Sequence, residues 1–311
     1  ALILVFTFNG LTSQDYTHQN NNFISDSIIK NYKVDLNHSE KFGELVIQDS
    51  GGRMKPVNTF SSELLRKVSK SNSYNGLNSD QVLLSILRNP IAWYSEPIIY
   101  IKRGNDSIRS VIGIDKNQKF AAFMDFFDSQ GNYKLASYLE KAYKSSLPNQ
   151  FEKDFIDSDR KVNLLFSALE GEILRIFPTP SENNDKWVSY SELKDENYRG
   201  IDSLFVNNIF PIYLRELDTG MKTNDYSKAT EILESIKGFQ LKYSSNIVPS
   251  ENKIKAEVIY NKINVFEKLF LWYFIAGMLY FLFIIFDIFS SNKFIIRFMK
   301  YSLLFFKSSI F

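Results

Sequence analysis

Few side chains in this chain have the chemistry for catalysis or ligation. His18 and His38 are the only histidines among 311 residues, and there is no cysteine. Neither histidine stands in HExxH or any other metal spacing, so no metal site is expected. The lack of cysteine excludes disulfides, thiol catalysis and a CxxCH haem attachment within these residues. Serine is plentiful, but there is no GxSxG elbow, and two histidines leave little room for a triad. Asp154, Asp157 and Asp159 precede Arg160. They are expected to be the solvated N-terminal turn of a helix, where the macrodipole favours acids. His38 has two readings, a haem or metal ligand or a structural side chain. Arg53 also has two. After two glycines its guanidinium can grip a carboxylate at two points, or it can tie its own turn to an acid such as Asp49.

Arg53 lies in the best-defined stretch, "HSEKFGELVIQDSGGRMKPVNTFSSELLRK", from His38 to Lys67. "ELVIQ" reads as a strand. "DSGG" is turn chemistry, since glycine takes positive φ freely. "RMKPV" returns as a second strand, placed at an edge by Pro56. Asn58 or Thr59 can cap the following helix, with Glu63 helping its dipole. Phe60, Leu64, Leu65 and Val68 share one face of that helix. The pattern onward is mostly helical. "NSDQVLLSILRNP" starts on a cap and stops before Pro90. "GIDKNQKFAAFMDFFDSQG" and "YKLASYLEKAYKS" read as two short helices. The segment from Phe151 to Pro178 carries one long apolar stripe, and Trp187 sits in a loop beyond it. Two further helices, "SLFVNNIFPIYLRELD" and "YSKATEILESIKGFQLKYSSNI", follow. No repeat recurs at a fixed period. The fold class expected is mainly α with a small β-hairpin.

Net charge is +2 and no basic patch is interleaved with aromatics, so nucleic acid is not an expected partner. Leu269 to Phe286 are 18 residues without a charge. At ~1.5 Å per residue they make about 27 Å of helix, close to the thickness of a bilayer core. Trp272 and Tyr273 sit near the start, where amphipathic rings favour headgroups. Lys293, Arg297, Lys300 and Lys307 follow the span, which places that side in the cytoplasm and the large middle region outside it. The expected organisation is the end of a transmembrane helix over 1–10 and an extracytoplasmic domain over 11–262. A transmembrane helix over 265–289 follows, then a cytoplasmic loop with the start of a second membrane or interfacial helix over 290–311.

The motif formed by Gln48, Asp49, Gly52, Arg53, Lys55, Pro56, Asn58 and Thr59 resembles the QD-x-x-GR-x-KP-x-(N/D)T segment of fused CcsB–CcsA (ResB–ResC) type cytochrome c biogenesis proteins. "LRIFPTP", Trp187 and "KIKAEVIYNKINVFEKLFLWYF" before the span are similar to the same family, so the resemblance covers roughly Asn31 to Phe289. It implies a role in system II cytochrome c maturation, in which haem is moved across the inner membrane and presented to apocytochrome c. The implied partners are the rest of a CcsB–CcsA protein, apocytochrome c and the lipid bilayer, with the main domain periplasmic. The family's tryptophan-rich haem-handling motif and its flanking histidines have no match in this sequence. The haem ligands implied by the resemblance therefore lie outside it, and the chain is expected to be a fragment or a short form, not catalytic alone. The alternative is a membrane-anchored extracytoplasmic interaction or scaffold domain with no enzymatic role.

Overall fold

The computed structural model describes residues 33–104, 106–180, 186–263 and 265–289. The expectations for 1–10, for 290–311 and for His18 lie outside these residues. The chain divides into two compact units, Ala1–Val258 and Ile259–Phe311. The structure is mostly helical, as expected.

The first unit begins with α1 (Leu36–Gly43), which Asp35 caps by accepting from the His38 N–H at 3.0 Å. Strands β1 (Val46–Gln48) and β2 (Met54–Pro56) form the expected hairpin, with Ile47 opposite Lys55. Helix α2 (Val57–Ser69) buries Leu64, Leu65 and Val68, while Phe60 packs at the edge of the core. The short pair β3 (Ser73–Tyr74) and β4 (Leu77–Asn78) leads into α3 (Ser79–Arg88). Asn78 and Gln81 close a capping box at its start, and Pro90 opens the short α4 (Pro90–Tyr94). This boundary is where the sequence signals put it.

Beyond α4 the sequence reading and the structure part company. The stretch expected as one helix from Gly113 contains only a turn, a strand and a 3-10 turn. Strand β6 (Phe120–Ala121) pairs with β5 (Ile99–Tyr100), on either side of α5 (Asp106–Ile112). The buried Arg109 holds this arrangement by donating to the carbonyls of Ile101, Lys102 and Gln118. Helices α6 (Ala136–Lys144) and α7 (Gln150–Leu169) pack together. The apolar stripe expected to run to Pro178 ends as helix at Leu169, before Gly171 at φ +71°. Its last residues instead enter β7 (Phe177–Pro178), which pairs with β8 (Trp187–Val188). Trp187 is fully buried in that strand, not in a loop.

Helices α8 (Gly200–Thr223) and α9 (Ser227–Ser244) form a second packed pair. Pro211 stands inside α8, where it can give no N–H to the carbonyl four residues back. That carbonyl, of Asn207, accepts the Tyr190 hydroxyl at 3.3 Å. Helix α10 (Glu251–Ile263) ends the first unit at Val258, its only buried residue, and continues into the second. In the second unit, α11 (Val265–Phe289) holds an apolar stretch, Lys268–Phe286, long and apolar enough to cross a membrane. Phe270, Trp272, Tyr273 and Phe281 are exposed on it.

One side chain joins the two hairpins at the centre of the first unit. The buried Gln240 amide donates to the carbonyls of Val46 and Ile176, at 2.9 and 3.0 Å. Gln240→Leu keeps the volume but strands two buried acceptors, each worth about 1–3 kcal/mol. The variant is expected to unfold at clearly lower urea than Gln240→Glu kept protonated at acid pH. Equal midpoints for Gln240→Leu and the parent chain would contradict this role.

Candidate functional site

The eight motif residues converge on the β1–β2 hairpin and the first turn of α2. The turn is built by Asp49. Its Oδ1 accepts the N–H of Gly51 at 2.9 Å and of Arg53 at 3.0 Å, and its backbone pairs with Arg53 and Gly52. Gly52 sits at φ +84°, where other residues are strained. Burial opposes the charge on Asp49, but these N–H groups and the Lys55 ammonium outweigh it and hold the carboxyl below its usual range. Lys55 is itself buried. Its Nζ donates to Glu63 at 2.8 Å and lies 3.4 Å from Asp49, so its charge is compensated on both sides.

From this hairpin the motif reaches four distant parts of the unit. Gln48 Oε1 accepts the Trp187 N–H at 2.7 Å, and the Gln48 N–H donates to the Arg175 carbonyl. Pro56 precedes α2 as its N-cap and gives no side-chain bond. Asn58 and Thr59, read from sequence as caps, point elsewhere. Asn58 Nδ2 donates to Asp80 Oδ2 at 2.7 Å, and Ser61 donates to the other Asp80 oxygen. Asp80 is buried. Gly43, at the end of α1, passes so close that an added Cβ would lie 2.6 Å from Asp80 Oδ2. Only glycine lets α1 approach that carboxylate.

Thr59 Oγ1 donates to Glu257 Oε1 at 2.8 Å, and Arg53 Nη2 donates to the same oxygen at 3.1 Å. The carboxylate that Arg53 holds is therefore on α10, not on Asp49, and it is held at one oxygen. Arg53 is the exposed charge of the motif, with 62% of its side chain open to solvent. The guanidinium N–H groups that Glu257 does not use are the ones that can meet an anionic group at the surface.

His38 is buried on α1 between aromatic rings. Its Nε2 lies 3.1 Å from the Tyr213 hydroxyl and its Nδ1 3.4 Å from Thr230 Oγ1. The Tyr226 ring stacks on it at 5.0 Å. Burial, helped by Lys41 and opposed by Asp35, lowers its pKa to about 4. The imidazole is thus neutral near pH 7, and both ring nitrogens face protein partners. Though it precedes the hairpin closely in sequence, its ring partners are Tyr213, Tyr226 and Thr230, not Arg53.

The aspartate cluster differs from its reading as a solvated first turn. Helix α7 starts at Gln150, capped by Asn149, so these acids fall in later turns. Asp154 is buried and accepts from Lys102 and Gln150, at 3.0 and 2.8 Å. Asp159 is buried and accepts from Tyr133 and Tyr143, at 3.1 and 2.8 Å. Only Asp157 remains half-exposed, paired to Lys161 at 2.6 Å. Local helical periodicity could not show that lysine and tyrosine hydroxyls would come to meet this face. Among the described residues no group of three His, Cys, Asp or Glu is placed to hold a metal ion.

The fold and the motif define a mostly helical domain organised around a polar hairpin, in a chain with a candidate membrane helix. This chain is similar to protein NrfI of Wolinella succinogenes, 33% identical over 245 residues, which are 78% of this chain. It spans about a quarter of that relative, 26% of its length. The similarity supports a place among cytochrome c biogenesis proteins. No family model matches the chain.

Two outcomes follow from the geometry. Arg53→Ala removes an exposed ion pair and is expected to cost under about 1 kcal/mol. Asn58→Ala takes a donor from buried Asp80 and is expected to cost about 1.5–3 kcal/mol. Urea unfolding of both variants checks this ranking, and the reverse order contradicts it. His38 gives a pH signature. Its folded pKa of about 4 lies below the ordinary 6.5, so the unfolded chain binds the extra proton. Stability from this group is complete above pH 6.5 and is lost as pH falls toward 4, by on the order of 2–3 kcal/mol. Melting temperature measured at pH 7 and pH 4.5 should fall more for the parent than for His38→Gln. Equal falls would show that the imidazole does not carry the difference.

Proposed function

We propose that this chain serves system II cytochrome c maturation as the extracytoplasmic connecting domain, with an anchor, of a fused CcsB–CcsA type protein. The observation that carries this reading is the similarity to NrfI across 245 residues, a length far beyond that of the motif. In this reading the domain lies on the periplasmic face of the inner membrane. The rest of the CcsB–CcsA protein, apocytochrome c and the bilayer are its partners.

Haem is the group such a machine handles, and His38 as placed does not fit an axial ligand. Axial ligation needs a free ring nitrogen facing an open apolar site. Here Nε2 is engaged by Tyr213 and the ring is covered by Tyr226. The chain's part is accordingly one of position. The hairpin, Asp80 and Gln240 hold the helices in one arrangement, and the Arg53–Glu257–Thr59 clasp fastens α10 to the hairpin. The haem ligands belong to the remainder of the larger protein, and Arg53 is left to meet an anionic group of a partner or of haem.

An in-frame deletion of residues 33–258 in the full-length gene tests the reading. Holocytochrome c, scored by haem staining, is expected to be lost while apocytochrome c accumulates and the shortened protein is still found in membranes by immunoblot. Normal holocytochrome c with that protein present would overturn the assignment and favour a scaffold outside cytochrome c maturation.

A further inference from the structure

The corner between α6 and α7 carries an apolar tip that the reading above does not use. Leu147 is 88% exposed there. Tyr138, Tyr143 and Phe151 beside it are also exposed large side chains. They are not loose. Tyr138 stacks on buried Phe155 at 4.8 Å, and Phe151 lies 4.7 Å from the same ring. The Tyr143 hydroxyl donates to Asp159 at 2.8 Å. Pro148 and the Asn149 capping box fix the chain immediately after Leu147. The tip is therefore held out to solvent by a packed base.

The charges around it have a positive excess, three lysines against Glu140 and Glu152. Lys141, Lys144 and Lys153 are exposed. Of the acids nearby in sequence, Glu140 is taken by Lys144 at 2.7 Å, and Glu152 turns back to the Asn149 N–H at 2.8 Å. Lys141 and Lys153 make no ion pair among the described residues. A protruding leucine, aromatic rings at its rim and an excess of ammonium groups match the chemistry of a lipid interface. Rings and lysine stems settle at headgroup depth while the ammonium meets anionic lipid. A protein partner suits the tip less well, because lysine is depleted from protein–protein interfaces.

We propose that the α6–α7 corner is a membrane-contact site, with Leu147 and Phe151 entering the headgroup region and Lys141 and Lys153 drawn to anionic lipid. The proposal rests on α11 crossing a membrane and not on the role in cytochrome c maturation. A chain tethered in this way meets its own bilayer at high effective concentration, so a contact of modest strength suffices.

The chain has no cysteine, so one placed cysteine reports alone. Full-length Leu147→Cys carrying an environment-sensitive NBD probe is set in nanodiscs of phosphatidylcholine with phosphatidylglycerol. Ser235→Cys, exposed on α9, is the control. The probe at 147 is expected to shift to the blue and be quenched by doxyl-labelled lipid, and the control to do neither. Lys141→Gln and Lys153→Gln should each weaken the contact roughly fivefold, the pull of one surface charge. A water-like spectrum at 147 overturns the proposal. A blue shift without doxyl quenching also overturns it, since protein would then cover the tip. Quenching indifferent to both lysines and to phosphatidylglycerol overturns the assignment of an anionic surface.

Discussion

Two buried backbone carbonyls, Val46 and Ile176, must find donors, and one amide supplies both. That requirement organises the first unit. A hairpin of three-residue strands cannot stand alone in water, and its outer edges are closed to solvent. Each polar group there needs a protein partner or costs free energy. Gln240 meets the Val46 carbonyl on the outer edge of β1. Gln48, two residues along the same edge, gives its N–H to Arg175, and its side-chain oxygen accepts the Trp187 N–H. The helices are thus placed by the hairpin's unmet hydrogen bonds as much as by burial of leucine and phenylalanine.

The same logic explains how the polar motif is spread. Asp49 spends its carboxylate on its own turn, and Lys55 sits between two acids. Asn58 reaches Asp80, and Thr59 reaches Glu257. Asp49 and Lys55 bond locally, whereas Gln48, Arg53, Asn58 and Thr59 reach other parts of the unit. Arg53 is the one charged member that solvent reaches freely. A surface available to a partner is therefore narrow, while disturbance of the rest acts through the packing of α1, α3 and α10.

Much of this architecture was legible in the sequence wherever the signal was local. The DSGG turn, the Asn78 cap, the stop before Pro90 and the apolar face of α2 all follow from rules that span a few residues. The long apolar run of α11 was plain for the same reason. What could not be read was the identity of remote partners. Glu257 lies 204 residues from Arg53, and Gln240 lies 194 from Val46. Nothing in the spacing of either residue announces a buried acceptor elsewhere. The error around Phe120 has a related cause. Its apolar cluster suits a helix as well as a strand, and the choice was made by Arg109 gathering three carbonyls from neighbouring turns. The site was legible as a motif but not as a set of ties.

The β-structure among the described residues consists of four separate antiparallel pairs, none with strands longer than three residues. An extended polypeptide seeking a sheet edge to zip onto would find no continuous row of amides and carbonyls on these pairs. Any extended chain meeting this surface would have to be gripped by side chains at separate points, a looser hold that leaves its backbone free to turn. The same brevity guards against one copy templating onto another along a shared edge.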